Sequence, residues 1–226
     1  MQETLIVSAM WGRSKAVREP LLEFRNAVKR GLEIVFSLLA LLLLAPIMLA
    51  IAIAVKLSSP GPIFFADRRL GREGRYFYCL KFRTMFVNSD EILEKHLANN
   101  SSAHEEWEEY AKLKSFDPRV TKMGRFLRRH SLDEFPQLIN LLRGEMVLIG
   151  PRPYLPEELN KMDEHADIIL KATPGITGLW QVSGRNELTF EDRLEIDAWY
   201  VRNRSLWLDL LLLFKTFKVV LEGKGV

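Results

Sequence analysis

One cysteine, Cys79, in 226 residues excludes an internal disulfide framework and fits a reducing compartment. Without a second thiol it reads as a small buried hydrophobe rather than a reactive group. Charge of one sign is also scarce. The 32 Lys and Arg against 29 Asp and Glu leave a net charge of only +3, and the aromatics sit in apolar helices, which argues against nucleic-acid binding. Neither an internal repeat nor a low-complexity tract is evident. A chain of this length with 48% hydrophobic residues can bury one substantial core but not two large domains. The even charge total hides local bias, because basic residues crowd the first 30 positions and the stretch 68–83, as expected beside an anionic membrane surface.

Residues 32–55 form the one apolar run of membrane length, with Glu33 as its only charge. A straight helix of that length would reach about 36 Å, enough for a bilayer core. Pro46 lies near its middle, where it removes a helical hydrogen bond and kinks the chain. Arg13, Lys15, Arg18, Arg25, Lys29 and Arg30 precede the run, and Lys56, Arg68, Arg69, Arg72 and Arg75 follow it. By the positive-inside rule both flanks belong in the cytoplasm, so a kinked, re-entrant helix fits better than a single-span anchor. The late start and the length of the run argue against a cleaved signal peptide.

Past the membrane run, 58–62 (SSPGP) is a turn, and 63–65 with 77–82 read as strands of a hairpin around 71–75. Alternation places Lys81 and Arg83 on one strand face and Phe82 on the other. Residues 90–114 form a charged helical stretch interrupted at 99–102 (NNSS). Residues 198–221 mix Trp199, Tyr200, Trp207, Phe214 and Phe217 with leucines and lysines, the composition of an interfacial amphipathic helix.

The most informative stretch is 131–153, SLDEFPQLINLLRGEMVLIGPRP. Pro136 is tolerated only near a helix start, so Leu132 or Asp133 as N-cap places Asp133 and Glu134 in the first turn. Ser131 with Glu134 also forms a capping-box pattern, which would start the helix earlier. In either register the acid pair sits at the positive end of a helix dipole, beside backbone N–H groups able to hold phosphate. Arg125, Arg128 and Arg129 precede the pair, and Arg152 follows in a proline-stiffened Gly-Pro-Arg-Pro turn. Fixed guanidiniums beside adjacent carboxylates suit an anionic substrate together with a divalent cation. A second loop, 174–186 (PGITGLWQVSGRN), has glycines for close backbone approach, hydrogen-bonding groups on Gln181 and Ser183, and a phosphate fork on Arg185.

Four segments, KFRTM at 81–85, DPRVTKMGRFLRRHSLDEFPQLINLLRGEMVLIGPRP at 117–153, PGITGLWQVSGRN at 174–186 and IDAWYVRNRSLWLDLLLLFKT at 196–216, resemble the bacterial sugar transferases known as monotopic phosphoglycosyl transferases. The resemblance spans residues 25–224. It implies an α/β catalytic domain at residues 58–226, a re-entrant helix at 30–57 broken by Pro46, and a basic tail at 1–29. It also implies transfer of a sugar 1-phosphate from a UDP-sugar to undecaprenyl phosphate, the first membrane-committed step of a surface glycan, on the cytoplasmic face of the bacterial inner membrane. Asp133 would be the nucleophile of a covalent intermediate, and Glu134, with Asp133 beside it, would hold Mg²⁺. Lys81, Arg83, Arg128, Arg152 and Arg185 would bind phosphate. The nucleotide-sugar loop would comprise Pro174, Gly175, Thr177, Gly178, Gln181 and Gly184. Asp197 and Asp209 match acidic positions for which a salt bridge to an active-site arginine is expected. The chain departs from the common Ser-Pro helix breaker, carrying Ala45-Pro46. The wording of 90–114 and GLWQVSGRN favours UDP-galactose, then UDP-glucose, as donor. The resemblance further implies a minimal catalytic version without the extra multi-span region of some relatives, and is compatible with a homodimer. The rival reading is a membrane-anchored module that binds a nucleotide or lipid phosphate without turnover. A pure anion binder, however, gains nothing from carboxylates beside its phosphate site.

Overall fold

The computed structural model describes the backbone of residues 2–110, 113, 116–183 and 188–221, and the side chains of 27–108, 113, 116–183, 188–216 and 218. Helix α1, Gln2–Ser58, is helical without interruption through Pro46, so any bend there is not a break in the helical backbone. The basic tail expected at 1–29 is continuous in backbone with the apolar segment. Strands β1, Phe64–Leu70, and β2, Tyr76–Phe82, form the expected antiparallel hairpin, in the register Phe64 with Phe82 and Leu70 with Tyr76. The charged stretch divides at Asn100 into α2, Ser89–Asn99, and α3, Ser101–Tyr110, where Asn100 Oδ1 accepts from the Ala103 amide at the new helix start.

Helix α4, Lys122–Arg129, is capped by the Thr121 hydroxyl, which accepts from the Gly124 amide at 2.8 Å. Gly124 is required here, because a Cβ would lie 2.0 Å from the Thr84 carbonyl oxygen; its absence lets α4 pack against the end of β2. Helix α5, Gln137–Arg143, follows, then β3, Val147–Ile149, the short α6, Ala166–Ile169, and β4, Gly175–Thr177, which pairs in parallel with β3. The C-terminal stretch expected as one amphipathic helix is two, α7, Phe190–Asn203, and α8, Leu206–Leu221. The Ser205 side chain, accepting from the Leu208 amide, starts the second. Fold class is therefore mixed α and β, as expected.

The core is distributed. Ile51 and Val55 of α1 pack in one cluster with Phe82 and Leu127, and Tyr154, Leu194 and Ala198 form another around Met162 and Ile169. Asn140, fully buried, accepts from the Leu80 amide and donates to the Tyr78 carbonyl and to Glu145, joining α5 to β2. Both ends of the apolar part of α1 are fastened to this same body. At one end Arg30 donates to the Leu141 and Leu142 carbonyls at 2.7 and 2.9 Å, satisfying the last turn of α5, and Lys29 pairs with Asp209 at 2.6 Å. At the other, Arg83 donates to the carbonyls of Val55, Ser59 and Pro60, where α1 ends. Between them Ser37 donates to the Leu138 carbonyl. The opposite faces of the helix stay bare, with Leu42 and Leu43 each 73% exposed alongside Leu38, Leu39, Leu49 and Ile53. Ala27–Ser58 is the one helical stretch among the described residues long and apolar enough to cross a membrane.

Candidate active site

The acid pair does not occupy the first turn of α5. Asp133 and Glu134 lie in a single 3-10 turn, Leu132–Glu134, ahead of that helix; Ser131 takes a left-handed conformation with no capping bond, and Pro136 sits where the cap would be. Neither expected register forms, because Pro136 has no N–H and the α-helical ladder begins only after it. The amides of Glu134 and Phe135 bond back to Ser131 and Leu132, so they are not available to an anion as expected. What the turn achieves is placement: Asp133 is buried and Glu134 half-buried at the floor of a cleft of about 750 Å³.

Lys81, from the end of β2, reaches Glu134 at 3.0 Å, and the negative charge of Glu134 raises the lysine's pKa. Burial, then the neighbouring Glu134, raises the pKa of Asp133, while Lys81 and Arg128 pull it back. Arg128 is positioned by its bond to the Thr84 hydroxyl at 3.0 Å. A buried carboxylate beside two cations, facing a cleft, is more basic than a solvated aspartate yet still able to ionise.

Arg152, Gly175, Trp180, Gln181 and Arg193 line the same cleft. Glycines make this wall possible: a Cβ on Gly175 would lie 2.1 Å from the Gly150 amide nitrogen, and one on Gly178 2.3 Å from the Gly150 carbonyl. The Gly-Pro-Arg-Pro turn and the 174–180 loop therefore cross in direct backbone contact, and Arg152 comes to 5.5 Å from the Trp180 ring. The close approach expected of these glycines is loop against loop. Pro174 and Thr177 are buried in that crossing, Thr177 bonding to Thr216, and Gln181 donates to the Ile176 carbonyl. Gly184 and Arg185 lie outside the described residues.

Other expected residues are placed differently. Arg83 lines the cleft, but its terminal nitrogens hold the end of α1. Asp197 has no guanidinium at ion-pair distance among the described residues, although the charge of Arg152 acts on it; it accepts from the backbone amide of Arg152 and from the Tyr154 hydroxyl, both at 2.9 Å, fixing the arginine's main chain, while Arg152 itself faces Glu158 at 3.7 Å. Asp209 pairs with Lys29 and accepts from Tyr200, tying α8 to α1 rather than to an active-site arginine. Both corrections have one cause, since only the packing of α7 and α8 decides which donor each carboxylate meets. Residues not expected in the cleft are Asp67 with its partner Arg69, and Arg193. The basic bias of 68–83 was a faint signal for Arg69; Arg193 had none. Cys79 is fully buried, and burial pushes its thiol up to about 11, in line with an inert side chain.

Burial raises the Asp197 carboxyl from 3.8 to about 7, against the opposing bonds from Arg152 and Tyr154. The folded-state value exceeds the unfolded one, so this stabilising contribution is complete below about pH 4 and is lost as pH rises towards 7. Thermal unfolding of the wild type should therefore weaken across that window relative to Asp197→Asn, which does not titrate. Parallel curves would show that Asp197 keeps its charge when buried.

Two carboxylates at the cleft floor are hard oxygen donors, and Mg²⁺ takes one or two such groups while completing its shell with phosphate and water, so Asp133 and Glu134 fit that ion. Among the described residues no group of three or more His, Cys, Asp or Glu side chains gathers into an all-protein metal cage.

Residues 24–223 match the family model for bacterial sugar transferases. Over 198 residues the chain is 50% identical to an uncharacterized sugar transferase of Haemophilus influenzae and 48% identical to the undecaprenyl-phosphate galactose phosphotransferase of Salmonella typhimurium, covering 88% of this chain but 42% and 41% of those proteins. It is 46% identical over 197 residues to the exopolysaccharide production protein ExoY of Sinorhizobium fredii, covering 87% of each. The chain thus spans about two fifths of the length of the first two and most of the third. An acid pair set among cations, on a mixed helix and strand body fastened to an apolar helix, is in this way joined to a match over nearly the whole sequence, and the chain belongs to the bacterial sugar transferase family.

Proposed function

We propose that the chain transfers a hexose 1-phosphate from a UDP-hexose, galactose before glucose, to undecaprenyl phosphate, releasing UMP and starting an exopolysaccharide, capsule or O-antigen glycan. The observation that carries this reading is the buried Asp133, flanked by Lys81, Glu134 and Arg128, in a cleft that Arg152 also lines. The galactose preference is supported by the name of the Salmonella relative. In the reaction, an Asp133 carboxylate oxygen attacks the β-phosphorus, and the bond from that phosphorus to the bridging oxygen breaks. UMP leaves with that oxygen. An oxygen of the acceptor phosphate then attacks the acyl phosphate, which frees the carboxylate and forms the lipid-linked diphosphate sugar. Lys81, Arg128 and Arg152 offset the repulsion between a carboxylate and an anionic donor. Mg²⁺ at Glu134 and Asp133, when bound, would supply further charge neutralisation of the diphosphate.

The same reading places the protein on the cytoplasmic face of the inner membrane, with α1 entering and leaving one leaflet and α8 lying along the interface. A helix whose two ends are both fastened to one polar body does not carry those ends to opposite sides of a bilayer, and the contacts of Arg30 and Arg83 support this topology. The exposed Leu206, Trp207, Leu210 and Phe214 support the interfacial position of α8. Cysteines introduced at Ser14 and Ser58 in a Cys79→Ser background should both escape an impermeant thiol reagent applied to intact cells. Labelling at position 14 alone would establish a spanning helix. Pro46→Leu should shift the protein toward that form and reduce activity.

The reaction is tested by mixing purified protein with a panel of UDP-sugars and Mg²⁺ and measuring UMP, together with intact-protein mass. A hexose-phosphate adduct and UMP release are expected with UDP-galactose or UDP-glucose. Tight binding of UDP-sugars with no UMP from any of them would instead favour the membrane-anchored binding module.

A further inference from the structure

We propose that Arg193, together with Arg152 and the indole N–H of Trp180, binds the diphosphate of the donor; this rests on the UDP-sugar reading above and adds to it a residue that no motif singled out. All three residues line the cleft. The Arg193 guanidinium carbon lies 5.3 Å from the centre of the Trp180 ring and that of Arg152 lies 5.5 Å from it, so two cations share one indole. Arg152 has Glu158 at 3.7 Å as a counter-charge. Arg193 has no carboxylate at ion-pair distance among the described residues, and its terminal nitrogen donates to the Leu188 carbonyl at 3.1 Å. Burial and the charge of Arg152 together lower the pKa of Arg193. The charge of Glu158 offsets this only in part, so a further anion at this place favours the charged form of both guanidiniums.

The hydrogen-bond inventory points the same way. Arg193 Nε, Trp180 Nε1 and Arg69 Nε are buried N–H groups with no acceptor among the described residues, and each belongs to a residue lining the cleft. Buried donors without acceptors are costly and rare, so a ligand that enters the cleft and offers them acceptors as the side chains turn toward it would relieve that cost. That ligand must bring several oxygens and negative charge. A diphosphate does both, and a guanidinium receives two of its oxygens side by side. A nucleobase fits this position less well, because guanidiniums already pack at the Trp180 ring.

The test uses the full chain in detergent or nanodiscs. Equilibrium binding of UDP and of inorganic diphosphate should weaken by about 10- to 100-fold in Arg193→Gln, the loss expected for a charge-assisted bond, with Arg193→Lys recovering part of it. In steady state the KM for UDP-hexose should rise by a similar factor. The KM for undecaprenyl phosphate should stay unchanged, and kcat at saturating donor should fall by less than about threefold. Thermal unfolding of the variant matching that of the wild type shows that the fold is kept. If Arg193→Gln is less stable, Arg193→Lys decides instead: lysine keeps the charge but loses the two-pronged fork, so weaker UDP and diphosphate binding with unchanged stability supports the proposal and unchanged affinity overturns it. Unchanged UDP and diphosphate affinity in Arg193→Gln, or a change in acceptor KM alone, overturns it too. Wild-type protein that binds UDP tightly but releases no UMP defeats the transfer reaction while leaving the anion site to stand or fall on the binding arm.

Discussion

Asp133→Asn is expected to lower UMP release by at least roughly 1,000-fold and to leave no phosphosugar adduct on the protein, because an amide oxygen is a far weaker nucleophile than a carboxylate. The substitution is close to isosteric, and it removes the charge that burial and Glu134 already disfavour. Folding and membrane association should therefore persist, and the loss should appear in turnover alone. The same electrostatics shape the pH profile. The Asp133 pKa is raised, so its carboxylate is lost on acidification at a pH above the ordinary aspartate value of 3.8, and on the proposed mechanism the acidic limb of kcat/KM should lie higher. Lys81→Ala removes a neighbour that favours the ionised form and should move that limb higher still. An adduct that survives in Asp133→Asn would assign the nucleophile elsewhere.

Chelation of divalent cations by EDTA should reduce UMP release by roughly 100-fold or more, with Mg²⁺ restoring it, since on the proposed mechanism a carboxylate approaches an already anionic diphosphate. Glu134→Gln should raise the Mg²⁺ requirement or abolish turnover. Because Glu134 also holds Lys81 at 3.0 Å, that substitution releases the lysine as well, and a double variant with Lys81→Ala separates the two contributions. Neither change touches the contacts that fasten α1, so sedimentation with membranes should not alter. Full turnover without any divalent ion would remove the metal from the reading.

Much of the local structure was legible because its signals are local. Alternation and a Gly-containing turn define the hairpin within about 20 residues, Asn100 caps α3 by accepting from the Ala103 amide, and the length and apolarity of 32–55 mark the one helix among the described residues able to cross a membrane. The acid pair and its basic neighbours were likewise visible as an unusual concentration of charge within one short stretch. Their local geometry was not. Ser131 and Glu134 form the pattern of a capping box, but Pro136 delays the α-helical ladder and the pair settles into a 3-10 turn that no cap holds. Competing local rules of similar strength are decided by what packs around them.

Partner choice was least legible of all. Arg83 and Lys81 share a strand-face pattern in sequence, yet one secures the end of α1 and the other neutralises Glu134. Asp197 and Asp209 read alike, but α7 carries the first to the Arg152 backbone and α8 the second to Lys29. Arg193 looks like one more charge on a solvated helix until the Gly150 and Gly175 backbones cross and bring Trp180 and Arg152 to it. Residue chemistry and periodicity determined which elements form, which face is apolar and which residue types could handle phosphate. The tertiary structure decided which of those groups meet, because a hydrogen bond or ion pair acts over about 3 Å, and only the crossing of chain segments distant in sequence brings donor and acceptor that close.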